Sequence, residues 1–248
     1  MEFFLGFLIA TAVGLTGVGA GSITAPVLIL FFHLDPAVAV GSALAFAAAI
    51  KLAVLPIYIH RQQVDYRILL LLCSGGVPGV ILGAQLLSSL DTRQNERGIF
   101  LLLGFTILTV SLGSLYRSLR SRMTVASADR SRWLPPLAAL IGGEVGFSSA
   151  GAGALGAVAL MNLTKLTPPQ VVGTDMVFGL VVSIFGGGLH LFAGQYERAI
   201  TTKLVVGGIL GAIAGARLSS VVPHRPLRLG LSVWLATLGA QLCWKALR

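Results

Sequence analysis

The sequence predicts an all-α, polytopic membrane protein of two homologous repeats. Each repeat has four hydrophobic segments, the first broken at a glycine-rich motif. Three observations predict it. Of the 248 residues, 55% are hydrophobic and 11% charged, with a mean hydropathy of +0.88, whereas a soluble domain carries roughly 25% charged residues to cover its surface. Apolar runs cover about residues 3–32, 37–59, 68–90, 98–116, 133–163, 169–193, 199–222 and 227–247, several of them near the ~20 residues that cross a hydrocarbon core. Finally, residues 13–90 laid on 145–222 without a gap give 23 identities in 78 positions.

That register, a constant offset of 132, joins Gly14 to Gly146, Gly19 to Gly151, Gly21 to Gly153, Pro36 to Pro168, Gln63 to Gln195 and Gly83 to Gly215. A bias toward glycine and leucine would not also align prolines and glutamines. The chain therefore divides into a first repeat, 1–116, a connecting loop, 117–132, with five arginines against Asp129, and a second repeat, 133–248. Duplicated membrane units recur in secondary transporters, with the substrate site at the repeat interface.

Segment one opens MEFFLGFLIA, with an acid where a cleavable signal carries positive charge, and is expected to be mature sequence and the first membrane segment. It contains Gly14-Leu-Thr-Gly-Val-Gly-Ala-Gly-Ser22, and segment five contains Gly146-Phe-Ser-Ser-Ala-Gly-Ala-Gly-Ala154. Each glycine costs roughly 1 kcal/mol relative to alanine inside a helix, so four in nine residues favour a break. Backbone unwound at membrane depth has to line a cavity or be buried in protein. A half-helix beginning near Ser22 would then aim N–H groups and a positive dipole end inward, which suits an anion. Close packing through small residues is the alternative use of the same glycines. Segments three and seven repeat a glycine ladder, Gly75, Gly79 and Gly83 against Gly207, Gly211 and Gly215, and segments four and eight close the repeats.

Two topologies fit. Eight spans make the repeats parallel; re-entrant first segments leave three spans per repeat and invert them. Lys and Arg divide 11 to 6 between the two sides in either case, the C-terminus being external only in the second. Counting positive charge does not choose between them.

Charge inside a membrane is expensive and marks function by default. Lys51 in segment two, Glu144 before the second break, and Asp175 and His190 in segment six qualify. Lys51 could pair with Asp175 or Glu144, or meet an anion; a structural ion pair is the alternative for Lys51 and Asp175, a helix-terminal role for Glu144 and an interfacial one for His190. Glu144, Asp175 and His190 are equally candidates for proton coupling.

Other classes are disfavoured. The net charge of +9 lies mostly in short connections, a positive-inside pattern rather than a nucleic-acid footprint. Cys73 and Cys243 sit in apolar segments and are read as packing residues. No His-Glu-x-x-His, Gly-Lys or Gly-x-Ser-x-Gly occurs, so no metal site, Walker A loop or hydrolase elbow is expected, and neither a cofactor nor an enzyme is indicated.

Gly17-Val-Gly-Ala-Gly-Ser-Ile-Thr-Ala-Pro26 followed by Pro36-Ala-Val-Ala-Val-Gly-Ser42, with Ser149-Ala-Gly-Ala-Gly-Ala-Leu-Gly156 followed by Pro168-Pro-Gln-Val-Val-Gly-Thr-Asp175, resembles the repeated signature of the TauE/SafE sulfite exporter family of anion permeases. Lys51 and Gly188-Leu-His190 resemble one subgroup of it. The likeness extends over nearly the whole chain. Gly41-Ser-Ala43 departs from the family's Gly-Thr-Asp, and Val158 stands where Pro26 aligns, so one acid of a symmetric pair is missing.

The resemblance implies movement of small sulfur-containing anions such as sulfite or organosulfonates. The expected protein is a multi-pass inner-membrane transporter working by alternating access, its partners a small anion and the bilayer, with room for a homo-oligomer. The candidate substrate-binding set is Thr16, Gly17, Gly19, Gly21, Ser22, Ser42, Lys51, Ser148, Ser149, Gly151, Gly153 and Thr174. A membrane scaffold, whose glycines only permit packing, and a passive anion channel are the competing readings.

Overall fold

A computed structural model describes residues 1–16, 19–90, 96–119, 130–218 and 224–247. Those residues form ten α-helices and one 3-10 turn, Ser131–Trp133, without a strand among them. The helices are α1 (Glu2–Thr16), α2 (Ala20–Phe31), α3 (Pro36–His60), α4 (Tyr66–Ser89), α5 (Glu96–Leu119), α6 (Leu134–Ser148), α7 (Leu155–Leu163), α8 (Pro168–Phe192), α9 (Arg198–Leu218) and α10 (His224–Leu247). The first and fifth apolar segments are each two helices. Among the described residues, five helices contain stretches long and apolar enough to cross a membrane: α3, α4, α8, α5 over Arg97–Leu115 and α9 over Arg198–Gly215. The 15-residue α1 and 12-residue α2 are shorter.

Local chemistry sets several of these boundaries. Asp65 caps α4 by accepting the Ile68 N–H at 3.0 Å. Prolines in the first turn and a capping box between Thr167 and Gln170 begin α8. After Ser148 the chain turns left-handed at Ser149 (φ 56°), Gly151 (φ 99°) and Gly153 (φ 100°). No helix survives that sequence of dihedral angles, and the two glycines bear it without the strain a Cβ would add.

The glycine ladders fix the packing. Gly75, Gly79 and Gly83 of α4 lie against the backbone of Pro135, Ala139 and Gly143 of α6, while Gly207, Gly211 and Gly215 of α9 lie against Phe3, Phe7 and Thr11 of α1. Missing side chains let the backbones touch. In both pairs the numbers rise together, so the helices run parallel. Each contact in one set becomes its partner in the other when 132 is added to or subtracted from both residues. The same holds for Phe178 on Gly76 and Phe46 on Gly208, and for Gln63 at Gly173 and Gln195 at Gly41. Phe46 and Phe178 are fully buried.

Helix directions follow. Across α3 and α8 the numbers run oppositely, Gly173 meeting Gln63, Gly187 meeting Leu44 and Gly41 meeting His190. Gly76 at Phe178 and Gly186 at Val80 make α4 parallel to α8. Since α6 runs with α4 and α8, α7 has to carry the chain back before α8 can start. The Arg130 N–H, ahead of α6, accordingly donates to the carbonyl of Leu163 at the end of α7 at 2.9 Å. By the same reasoning α1, which runs with α9 and α3, is returned by α2. Each broken segment is a hairpin with its tip inside the bundle. Leu70, Leu140, Phe105, Ile184 and Leu210 are among the large apolar side chains left outside, an exterior suited to lipid. The chain is an all-helical, multi-pass membrane protein.

Candidate functional site

The two hairpin tips meet each other. Gly19 lies against the carbonyl oxygen of Ala152 and Gly21 against that of Ser149, so closely that neither could carry a Cβ. The Ser149 hydroxyl donates to the Gly21 carbonyl at 2.9 Å. Ser148 donates to the Glu144 carbonyl at 3.0 Å and accepts the Ala150 N–H at 3.2 Å, fastening the turn from inside. Both return helices, α2 and α7, start at the tips without a side-chain cap. Ser22, in the first turn of α2, is 1% exposed, and its Oγ finds no hydrogen-bond partner among the described residues. Buried hydroxyls are normally bonded, so this one calls for an explanation.

The tips lie on the crossing of α3 and α8. Lys51, 9% exposed, sets its Nζ against Gly179 and 3.5 Å from the Ser183 hydroxyl, and the methyl of Ala152 covers the same glycine. Ser183 donates to the Gly179 carbonyl at 2.6 Å. One turn before Gly179, Asp175 is 6% exposed, within electrostatic reach of Lys51, with Oδ1 against Gly156 in the first turn of α7. Lys51, Asp175, Ser22 and the backbone of both tips thus form one buried cluster.

Glu144 and His190 stand beside the second tip. The Glu144 carboxylate accepts the Thr109 hydroxyl at 3.4 Å and reaches the space beside Gly151. His190, 1% exposed, places Nδ1 2.7 Å from the Gln195 side-chain oxygen and Nε2 3.2 Å from the Gly146 carbonyl.

Ser42 and Thr174 are bonded elsewhere. Ser42 accepts the Glu197 N–H at 3.1 Å and Thr174 the Asp65 N–H at 3.0 Å, each tying down the turn that leads into α9 or α4. Gly153 lies in the turn between α6 and α7. Gly17 and the side chain of Thr16 are outside the described residues. Among those described, no group of three His, Cys, Asp or Glu is placed to hold a metal, and both cysteines are free thiols.

Sequence reasoning passed over Gly156, Gly179, Ser183, Thr109 and Gln195 as site residues. Ser183 was findable, being position 51 moved by 132; Gly179 stands one helical turn from both Asp175 and Ser183. Nothing in the sequence marks Thr109. Chemically, the cluster offers an ammonium, uncapped helix N-termini and a hydroxyl in a dry setting. That donor set matches a small oxyanion.

The description sulfite exporter TauE/SafE matches residues 2–242. "Probable membrane transporter protein YjnA" of Bacillus subtilis is 26% identical over 247 residues, 96% of this chain and 97% of its own. YdhB of the same organism, similarly described, is 25% identical over 241 residues, 95% and 96% of the two chains. A "Probable membrane transporter protein" of Xylella fastidiosa is 27% identical over 228 residues, covering 87% and 82%. No solved structure matches. The family match takes in both hairpins and the crossing of α3 with α8, and by it the chain belongs to the sulfite exporter TauE/SafE family.

Proposed function

We propose that the protein is a secondary transporter exporting small sulfur-containing anions, such as sulfite or organosulfonates, across the inner membrane. The family and its relatives' descriptions support transport; the observation that carries the anion site is the meeting of two uncapped helix starts over Lys51. In this reading residues 1–116 and 133–248 are duplicated, inverted repeats joined by the loop 117–132, which the paired contacts displaced by 132 support. The anion is held by Lys51, by backbone N–H groups after Gly19 and Gly151, and by the hydroxyl of Ser22, with Ser148 and Ser149 shaping the second tip. Asp175, Glu144 and His190 are the groups available for proton coupling. The tips touch here, so an anion enters only where Gly19 and Ala152 part. Rocking of one repeat against the other would part them toward each side in turn.

The test is counterflow of labelled sulfite into liposomes holding the purified protein. Saturable counterflow is expected, lost in Gly19→Leu and in Gly151→Leu while both variants remain in the membrane. The tight contact of Gly21 with Ser149 also suits the competing reading, a scaffold whose glycines only pack helices. That reading predicts no flux from folded wild-type protein.

A further inference from the structure

We propose that the site between the hairpin tips binds one anion of a single negative charge together with one proton, which Asp175 takes up. This deepens the transporter reading and rests on its anion site. Lys51 and Ser183 differ by 132 and touch, at 3.5 Å. A residue in contact with its own counterpart lies on the axis relating the two halves, so Lys51 is at that axis. An axis offers room for one ligand, not for a pair related by symmetry. The counterpart of the lysine is a serine, so the axis carries one ammonium and not two. Asp175 has Ala43 as its counterpart, and its charge is likewise unmatched in the other half.

Charge counting then selects the ligand. Among the described residues, Lys51, Asp175 and His190 are the buried ionisable side chains, and His190 is two turns beyond Ser183 with its nitrogens directed at Gln195 and Gly146. Asp175 has Lys51 of α3 within electrostatic reach and Gly156 of α7 against its Oδ1; the Glu144 carboxylate of α6 stands beside Gly151 of the second tip and accepts from Thr109. An unbalanced charge in such a setting is strongly disfavoured. With Asp175 ionised, Lys51 is already balanced and a monoanion leaves one excess negative charge. A proton from water, added to the Asp175 carboxylate, removes that excess without changing any bond in the anion. A dianion leaves an excess in either state. Hydrogensulfite and organosulfonates fit this rule; sulfite dianion and sulfate do not.

Calorimetry on the purified full-length protein tests it with methanesulfonate and sulfate, which are similar in shape and differ in charge. Methanesulfonate is expected to bind one per chain and at least ~10-fold more tightly than sulfate. Its affinity should fall about tenfold per pH unit once Asp175 is ionised in the empty site, because one proton is taken up on binding. Buffers of different ionisation heat should report that proton directly. Asp175→Asn should bind methanesulfonate with no pH dependence and no proton uptake. Sulfate binding as tightly, two anions per chain, or binding without a proton would each overturn the proposal and leave the anion site standing. Failure of every anion, hydrogensulfite included, to bind protein that still unfolds cooperatively would remove the anion site itself and this proposal with it.

Discussion

At the scale of single residues, one hydroxyl or hydrogen in this fold serves either the backbone or the centre of the molecule, and the contacts say which. Thr174 neighbours Asp175 in the chain, yet its hydroxyl accepts from Asp65. Thr174→Val should therefore lower stability by about 1 kcal/mol, the usual net worth of such a bond, and Ser42→Ala should cost about the same because Ser42 holds Glu197 in the equivalent turn. Denaturant unfolding in detergent measures both. Glycines divide in the same manner. Gly188, inside α8, has nothing near the position a Cβ would occupy, so Gly188→Ala should be neutral or stabilise by up to about 1 kcal/mol through helix propensity. Gly151, at φ 99° with the Glu144 carboxylate 3.3 Å from that position, should lose about 1–3 kcal/mol on the same change. Equal responses at the two sites would contradict the left-handed turn that ends α6.

At the scale of elements, the parallel contacts of α4 with α6 and of α1 with α9 dominate. A Cβ on Gly79 would run into the carbonyl of Ala139, and one on Gly211 into that of Phe7. Gly79→Ala and Gly211→Ala should each destabilise by about 1–3 kcal/mol, as overpacking does, and by similar amounts because the two contacts are counterparts. Thermal unfolding of the two variants compares them; a large effect at one position alone would argue against equivalent halves. The ladders and the interruption after Ser148 were legible in the sequence because glycine leaves a compositional mark wherever backbones touch or φ turns positive. Helix direction leaves none: 3–32 has the same hydropathy whether it crosses or doubles back, and only the bond from Arg130 to Leu163 and the register against α4 and α9 reveal the return. Ser42 and Thr174 were legible as hydroxyls beside glycines, but a hydroxyl facing a ligand and one facing a backbone N–H read alike. Lys51 was legible as a misplaced charge; Thr109, an ordinary helix residue, was not.

At the scale of the whole molecule, the hairpins bear on how many times the chain changes sides. With α1–α2 and α6–α7 each returning to the end from which they entered, α3, α4 and α5 in one half and α8, α9 and α10 in the other are expected to make six crossings, which would bring both termini to the same end of the bundle. Among the described residues the opposite end holds Arg61, Arg67, Arg117, Arg130, Arg132, Lys165, Arg217, Arg225 and Arg228. The terminal end holds Arg97, Arg198, Lys203 and Lys245. Excess basic residues mark the cytoplasmic side, so both termini are expected outside the cytoplasm, with the loop 117–132 inside it. A C-terminal epitope should then be removed by protease added to intact spheroplasts, while an epitope inserted into 117–132 should be spared until the membrane is opened. A protected C-terminus with an accessible loop would reverse the orientation. Protection of the terminus and the loop together would place both in the cytoplasm, as eight spans require, and would mean that the hairpins do not form in the bilayer.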